Sequence, residues 1–115
     1  MKILAFESSA KAASTALLSD GLLLAEYTQN SGQTHSRTLM QMAKDMLTSC
    51  DLTPQDIGAV AVAAGPGSFT GVRIGMACAK GFAWGRQLPL YGVSTLEAMT
   101  RGAAYADGLY CACMD

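Results

Sequence analysis

Residues 14–24, Ser14-Thr15-Ala16-Leu17-Leu18-Ser19-Asp20-Gly21-Leu22-Leu23-Leu24, decide the architecture. Asp20-Gly21 stands between two leucine-rich runs and supplies the two positive-φ positions that a type I′ turn demands. The stretch reads as a β-hairpin. Upstream, Lys2 to Phe6 is a short apolar run, closed by the polar turn Glu7-Ser8-Ser9-Ala10-Lys11. The chain therefore opens with a three-stranded antiparallel meander. Downstream, Asn30 to Gln33 is a loop, and Thr34 or Ser36 caps a helix running to about Cys50. Its apolar positions are Leu39, Met40, Met42, Ala43, Met46, Leu47 and Cys50. They cover more than one stripe, which calls for a second apolar contact beyond the helix's own sheet.

Further along, Thr53-Pro54-Gln55-Asp56 makes a short capped turn. Ala59 to Ala64 has no polar alternation and reads as a central strand buried on both faces. Gly65 to Gly71 is a glycine-rich loop opening a helix from about Val72 to Trp84, and Leu88 to Val93 is the next strand. Ser94-Thr95-Leu96-Glu97 is a capping box for a helix to about Tyr105. Asp107-Gly108 then turns into a strand over Leu109 to Met114. The order β-β-β-α-β-α-β-α-β is an α/β plan: a meander, then alternating helices and parallel strands on one mixed sheet. This is the ribonuclease H-like domain of actin-like and Hsp70-like ATPases. The last strand ends at Asp115 with nothing to cap it, so a fragment is expected.

Composition narrows the function classes. The chain has 115 residues and 12.0 kDa, half of them apolar, with mean hydropathy +0.24. That suits one domain with a real core. Eight basic against nine acidic residues give a net charge of -1, which argues against binding nucleic acid through an electrostatic footprint of its own. No apolar run is long enough for a transmembrane helix, and Glu7 cuts the signal-like start, so a cytoplasmic domain with no membrane contact is expected. Four cysteines, Cys50, Cys78, Cys111 and Cys113, lack zinc-knuckle spacing and read as reduced thiols, with the Cys111/Cys113 pair open to a soft metal.

The sharpest motif is Gly65-Pro66-Gly67-Ser68-Phe69-Thr70-Gly71-Val72-Arg73-Ile74-Gly75. Glycines between a strand end and a helix start admit a phosphate. No lysine follows Gly71, however, and Thr70 stands where a dinucleotide fingerprint needs its third glycine. A tight structural turn is the stronger reading and phosphate contact the other. The following helix carries small residues four apart at Gly71, Gly75 and Ala79, and again at Gly81 and Gly85. Close packing on its own sheet and a helix–helix interface both fit that spacing. His35 has Leu39 where a helical metal pair would want its second histidine, and reads as structural. Glu7 ends the first strand, where it either orients water or Mg²⁺ or caps the Ser8-Ser9 turn. Ala64 and Val93 stand where a two-metal nuclease would need further carboxylates.

Together, Ile3 to Ser9, Thr34-His35-Ser36, Gly65 to Gly75, Gly92-Val93-Ser94-Thr95-Leu96 and Cys113-Met114-Asp115 resemble the TsaB (YeaZ) family of bacterial tRNA threonylcarbamoyladenosine biosynthesis proteins. The resemblance covers the whole chain and implies that 1–115 is the first of two actin-like domains, with the second following Asp115. It further implies no catalytic residue and no metal site in this chain, because Leu39 replaces the second histidine of the paralogue TsaD. The implied partners are TsaD, which performs the transfer, the ATPase TsaE, a second copy where TsaD is absent, and tRNA through the complex alone. ATP, ADP and Mg²⁺ belong to that complex and not to this domain. Glu7, Ser8, Ser9, Gly65, Gly67 and Ser68 become a vestigial phosphate loop. The family's dimer interface, carried over, falls on Leu39, Met42, Ala43, Met46, Gly71, Gly75, Cys78 and Ala79, where Gly75→Leu is expected to block association in a folded monomer. The competing reading is an actin-like ATPase or phosphotransferase, or a glycoprotease-like hydrolase, in its own right.

Overall fold

A computed structural model of the chain describes residues 1–9, 12–30 and 36–95. Strands β1 (Lys2–Glu7), β2 (Ala13–Ser19) and β3 (Leu22–Gln29) form the antiparallel meander. Helix α1 (Ser36–Ser49), a 3₁₀ turn (Pro54–Asp56), β4 (Ala59–Gly65), α2 (Phe69–Arg86) and β5 (Leu90–Ser94) follow. Asp20 and Gly21 both have positive φ, 51° and 83°, as the type I′ turn requires. The strands lie in the order β3-β2-β1-β4-β5, with β4 and β5 added parallel to β1. Thus β4 is interior as expected, while the middle place in that order belongs to β1.

Register decides which side chains meet. Leu4 stands opposite Leu17 and Val60, and Phe6 opposite Thr15 and Val62. All six are buried and point to the face that carries both helices. There they meet Leu39, Ala43, Met46 and Leu47 of α1 and Cys78, Ala79, Phe82 and Ala83 of α2. Helix α1 covers β2 and β3, α2 covers β4 and β1, and the two helices touch each other. The second apolar contact that α1 called for is therefore α2 of the same chain. On the opposite face, Ala5, Ala61 and Ala63 line a shallow groove beside Glu7 and Val93. Strand β3 carries the exposed side chains of Leu22, Leu23 and Leu24.

Two elements start at least two residues away from the sequence reading. Helix α2 begins at Phe69 rather than Val72, because Ser68 is its N-cap and its Oγ accepts from the Gly71 amide at 3.2 Å. Strand β5 begins at Leu90 rather than Leu88, because the Leu88 amide donates to the Ala83 carbonyl at 2.9 Å and still belongs to the C-terminal turn of α2. Gln87 is left-handed there, with φ 56°. The helix read over Ser94 to Tyr105 (past Thr95), the strand over Leu109 to Met114, Thr34, His35, Cys111 and Cys113 lie outside the described residues.

Burial also orders the thiols. Neither Cys50 nor Cys78 is in a disulfide; Cys50 is half-buried and Cys78 buried, with burial raising the Cys78 pKa. In the native protein Cys50 should therefore react with iodoacetamide well before Cys78. Peptide mapping after a short pulse checks the order, and equal labelling would contradict it.

Candidate functional site

The glycine-rich segment lies where β4 ends and α2 begins, beside the turn that leaves β1. Ser8 and Ser9 of that turn are 3% and 1% exposed. The Ser9 carbonyl accepts from the Ser68 amide at 2.7 Å, and the Ser8 hydroxyl donates to the Gly71 carbonyl at 2.6 Å. A Cβ built on Gly67 would fall 2.5 Å from the Ser9 carbonyl oxygen. One on Gly71 would fall 2.1 Å from the Ser8 carbonyl oxygen, and one on Gly75 2.7 Å from the Ser8 hydroxyl. The first two obstacles are backbone atoms that cannot give way and the third is a hydroxyl already bonded to α2, so three glycines four residues apart let the β1 turn lie against the helix. Gly65, with φ 110°, has open space around it and is required by its backbone conformation alone.

Part of the amide set that opens α2 is already engaged within the chain. An anion at a helix N-terminus needs free amides there. Here the Ser68 amide is taken by Ser9, the Gly71 amide by the Ser68 hydroxyl, and the Val72 amide by the Ser68 carbonyl at 2.8 Å. Ser8 and Ser9 of the β1 turn thus lie directly against the start of α2. Glu7 is engaged in the same turn: one carboxylate oxygen, Oε1, accepts from the Ser9 amide at 2.7 Å and from the Ser9 hydroxyl. Of the two readings of Glu7, the turn cap is the one this geometry displays. Among the described residues, no three His, Cys, Asp or Glu side chains gather where they could hold a metal ion.

Most of the residues assigned to an interface from sequence are buried within the described fold. Leu39, Ala43, Met46, Cys78 and Ala79 are 0–3% exposed and form the core, and Met42 packs half-buried against it. Gly71 and Gly75 face Ser8. Of the two readings of the inner small-residue stripe, packing within the chain is the one observed. This corrects the reasoning about Gly75→Leu: the added side chain strikes Ser8 and the Val62 side chain, so the variant damages the fold before it tests any association.

What faces outward on α2 is a different stripe. Phe69, Arg73, Ala77, Lys80 and Trp84 recur at three- and four-residue spacing on the side away from the sheet, and all five are exposed. Phe69 and Trp84 are 75% and 73% exposed, against the rule that large aromatic rings bury themselves. The Arg73 guanidinium lies 5.2 Å from the centre of the Phe69 ring, beside a shallow groove that Thr70, Ile74 and Ala77 complete. Gly81 and Gly85 have nothing within 4 Å of a built Cβ. The sequence reading missed this stripe by starting the helix three residues late, which left Phe69 off its face.

A mixed sheet opening with a meander, two helices on one face, and a glycine loop at the strand–helix junction together define the ribonuclease H-like domain of the actin-like ATPase superfamily. Solved structures agree. YeaZ from Pseudomonas aeruginosa superposes with TM-score 0.83 at 33% identity, over 90% of this chain and 48% of that one. Thermus thermophilus RuvC, at TM-score 0.54 and 13% identity over 87% of this chain and 68% of that one, shares the fold alone. The family described as TsaD, tRNA N6-adenosine threonylcarbamoyltransferase, matches residues 23–115. Proteins named tRNA threonylcarbamoyladenosine biosynthesis protein TsaB match from Bacillus subtilis, at 40% identity over 95% of this chain and 48% of the relative, and from Escherichia coli, at 43% over 94% and 46%. The chain belongs to the TsaD family and, within it, to the TsaB (YeaZ) branch of tRNA threonylcarbamoyladenosine biosynthesis proteins. It spans about half the length of the curated relatives it matches.

Proposed function

We propose that this chain is a non-catalytic part of the machinery that places threonylcarbamoyl on the adenosine beside the anticodon of tRNAs reading A-starting codons. The observation that carries the reading is the self-filled junction at the start of α2. Ser8 and Ser9 pack against the start of α2, and Gly67 and Gly71, of a type that admits a phosphate elsewhere, admit the chain's own backbone. The protein binds no ATP, ADP or Mg²⁺ at this junction; those belong to the assembled complex. Its work is to dock. The partner is the TsaD paralogue, with the ATPase TsaE and the tRNA joining through the complex, and a second copy where the paralogue is missing. The cytoplasm is its compartment; among the described residues no helix is long and apolar enough to cross a membrane.

The exposed stripe of α2 supports docking because its two aromatic side chains have no partner surface within the described fold. In this reading α2 bears the interface and α1 supports it from within. The test is threonylcarbamoyl transfer to tRNA with purified components, running the full chain alone, omitted, and combined with the paralogue and the ATPase. Transfer only in the complete mixture is the expected result. Transfer by this protein alone would overturn the reading and return Glu7 to consideration as a reactive group.

A further inference from the structure

On the sheet face away from the helices, the register separates two halves. Over β2 and β3, Ser14 stands opposite Thr28 and Ala16 opposite Glu26, so that half is polar and tolerates water. Over β1, β4 and β5, Ala5 stands opposite Ala61, Ala61 opposite Tyr91 and Ala63 opposite Val93, and Glu7 closes this apolar half at the end of β1. Parallel strands are ordinarily covered on both faces. Here α1 and α2 cover one face. On the other, Tyr91 and Val93 are 56% and 37% exposed, and the three alanines floor the groove beside Glu7 and Val93. Going beyond the docking reading, we infer that the occupant of this groove is the chain's own segment 96–106, laid across β1, β4 and β5 as an amphipathic helix.

Three observations choose that occupant. Position comes first: β5 ends at Ser94, one residue past Val93 on the groove's wall, and Thr95 already has helical backbone and is 4% exposed. The face carrying α1 and α2 is filled, which leaves the alanine face to a chain departing from β5. Pattern comes second. In 96–106, outside the described residues, Leu96, Met99, Ala103 and Ala106 recur at three- and four-residue spacing, and Glu97 and Arg101, an i,i+4 pair of opposite charge, fall on the other side. Size comes third. Eleven helical residues span about 16 Å, and three adjacent strands about 10 Å between the outer two, so one short helix covers the apolar half and leaves the polar half wet. Alanine at positions 5, 61 and 63 lets a helix settle close to the sheet, where larger side chains would hold it off.

Thiol labelling of the full chain tests this. Ala61→Cys places a reporter on the groove floor, and Cys78, buried between the helices and the sheet, reports whether the fold holds. Iodoacetamide pulses and peptide mapping compare this parent with the same chain carrying Met99→Asp, Met99→Ala or Arg101→Ser. The position-61 thiol should label slowly in the parent, about ten-fold or more faster with Met99→Asp and about three-fold faster with Met99→Ala. Arg101→Ser should leave its rate unchanged, and Cys78 should stay slow throughout. Equal labelling of position 61 in the parent and with Met99→Asp overturns the inference, and so does an Arg101→Ser chain that opens as Met99→Asp does. A position-61 thiol that accelerates only together with Cys78 overturns it too, because unfolding alone then opens the groove. Protection that fades when the parent is diluted gives the face to a second copy and likewise overturns it. None of these results touches the docking reading.

Discussion

Gly71→Ala should cost about 3 kcal/mol or more of stability, lowering the melting temperature by roughly 12 °C or more in a domain of this size. The added methyl carbon would fall 2.1 Å from the Ser8 carbonyl oxygen, a backbone atom that cannot swing away. To relieve the overlap the β1 turn must lift from α2. That movement breaks the Ser8 hydroxyl bond to the Gly71 carbonyl and the Ser68 amide bond to Ser9. The same substitution at Gly81 should have the opposite sign. That glycine is exposed, sits inside the same helix and has nothing within 4 Å of a built Cβ, so alanine adds helix propensity worth up to about 1 kcal/mol. Thermal melts of the two variants check the pair. A Gly71→Ala protein as stable as the wild type would contradict the packing of the β1 turn against α2.

The second large effect concerns docking. Trp84→Ala should weaken association with the paralogue by roughly thirty-fold, the equivalent of about 2 kcal/mol for truncating an aromatic anchor. It should barely move the melting temperature, because the Trp84 side chain is 73% exposed and supports little of the fold. Leu39→Ala is the contrasting variant. Leu39 is fully buried among both helices and the sheet, so its truncation should cost about 2–5 kcal/mol of stability. Calorimetric titration and melting curves on both variants separate a surface residue from a core residue. If Trp84→Ala bound the paralogue as tightly as the wild type, the outward stripe of α2 would not be the docking surface.

The meander, the helix after it and the two parallel strands were legible because each has a local cause. Asp20-Gly21 fixes the hairpin, and the unbroken apolar run of Ala59 to Ala64 announces an interior strand. The direction of each helix face was not legible. On α2 two small-residue stripes coexist, and only the placement of Ser8 tells that Gly71, Gly75 and Ala79 face inward while Gly81 and Gly85 face out. The outward aromatic side chains were missed for the same reason. Leu39, Ala43 and Met46 look like a surplus of apolar surface until α2 is laid beside α1, whereas Phe69 and Trp84 look like core until the helix is seen to turn them outward. Spacing gives the stripes of a helix, but the neighbours decide which stripe is wet.

A loop filled from solution answers to supply: the occupant stabilises it by mass action, and the loop loosens as the occupant runs out. The junction between β4 and α2 answers to no such supply, because Ser8 and Ser9 are tethered to it through β1 and its sheet bonds to β4. Their local concentration is set by covalent connection and never falls. Helix α2 is therefore pinned to the end of β1 by bonds the chain makes with itself, and its outer side is presented from a fixed base.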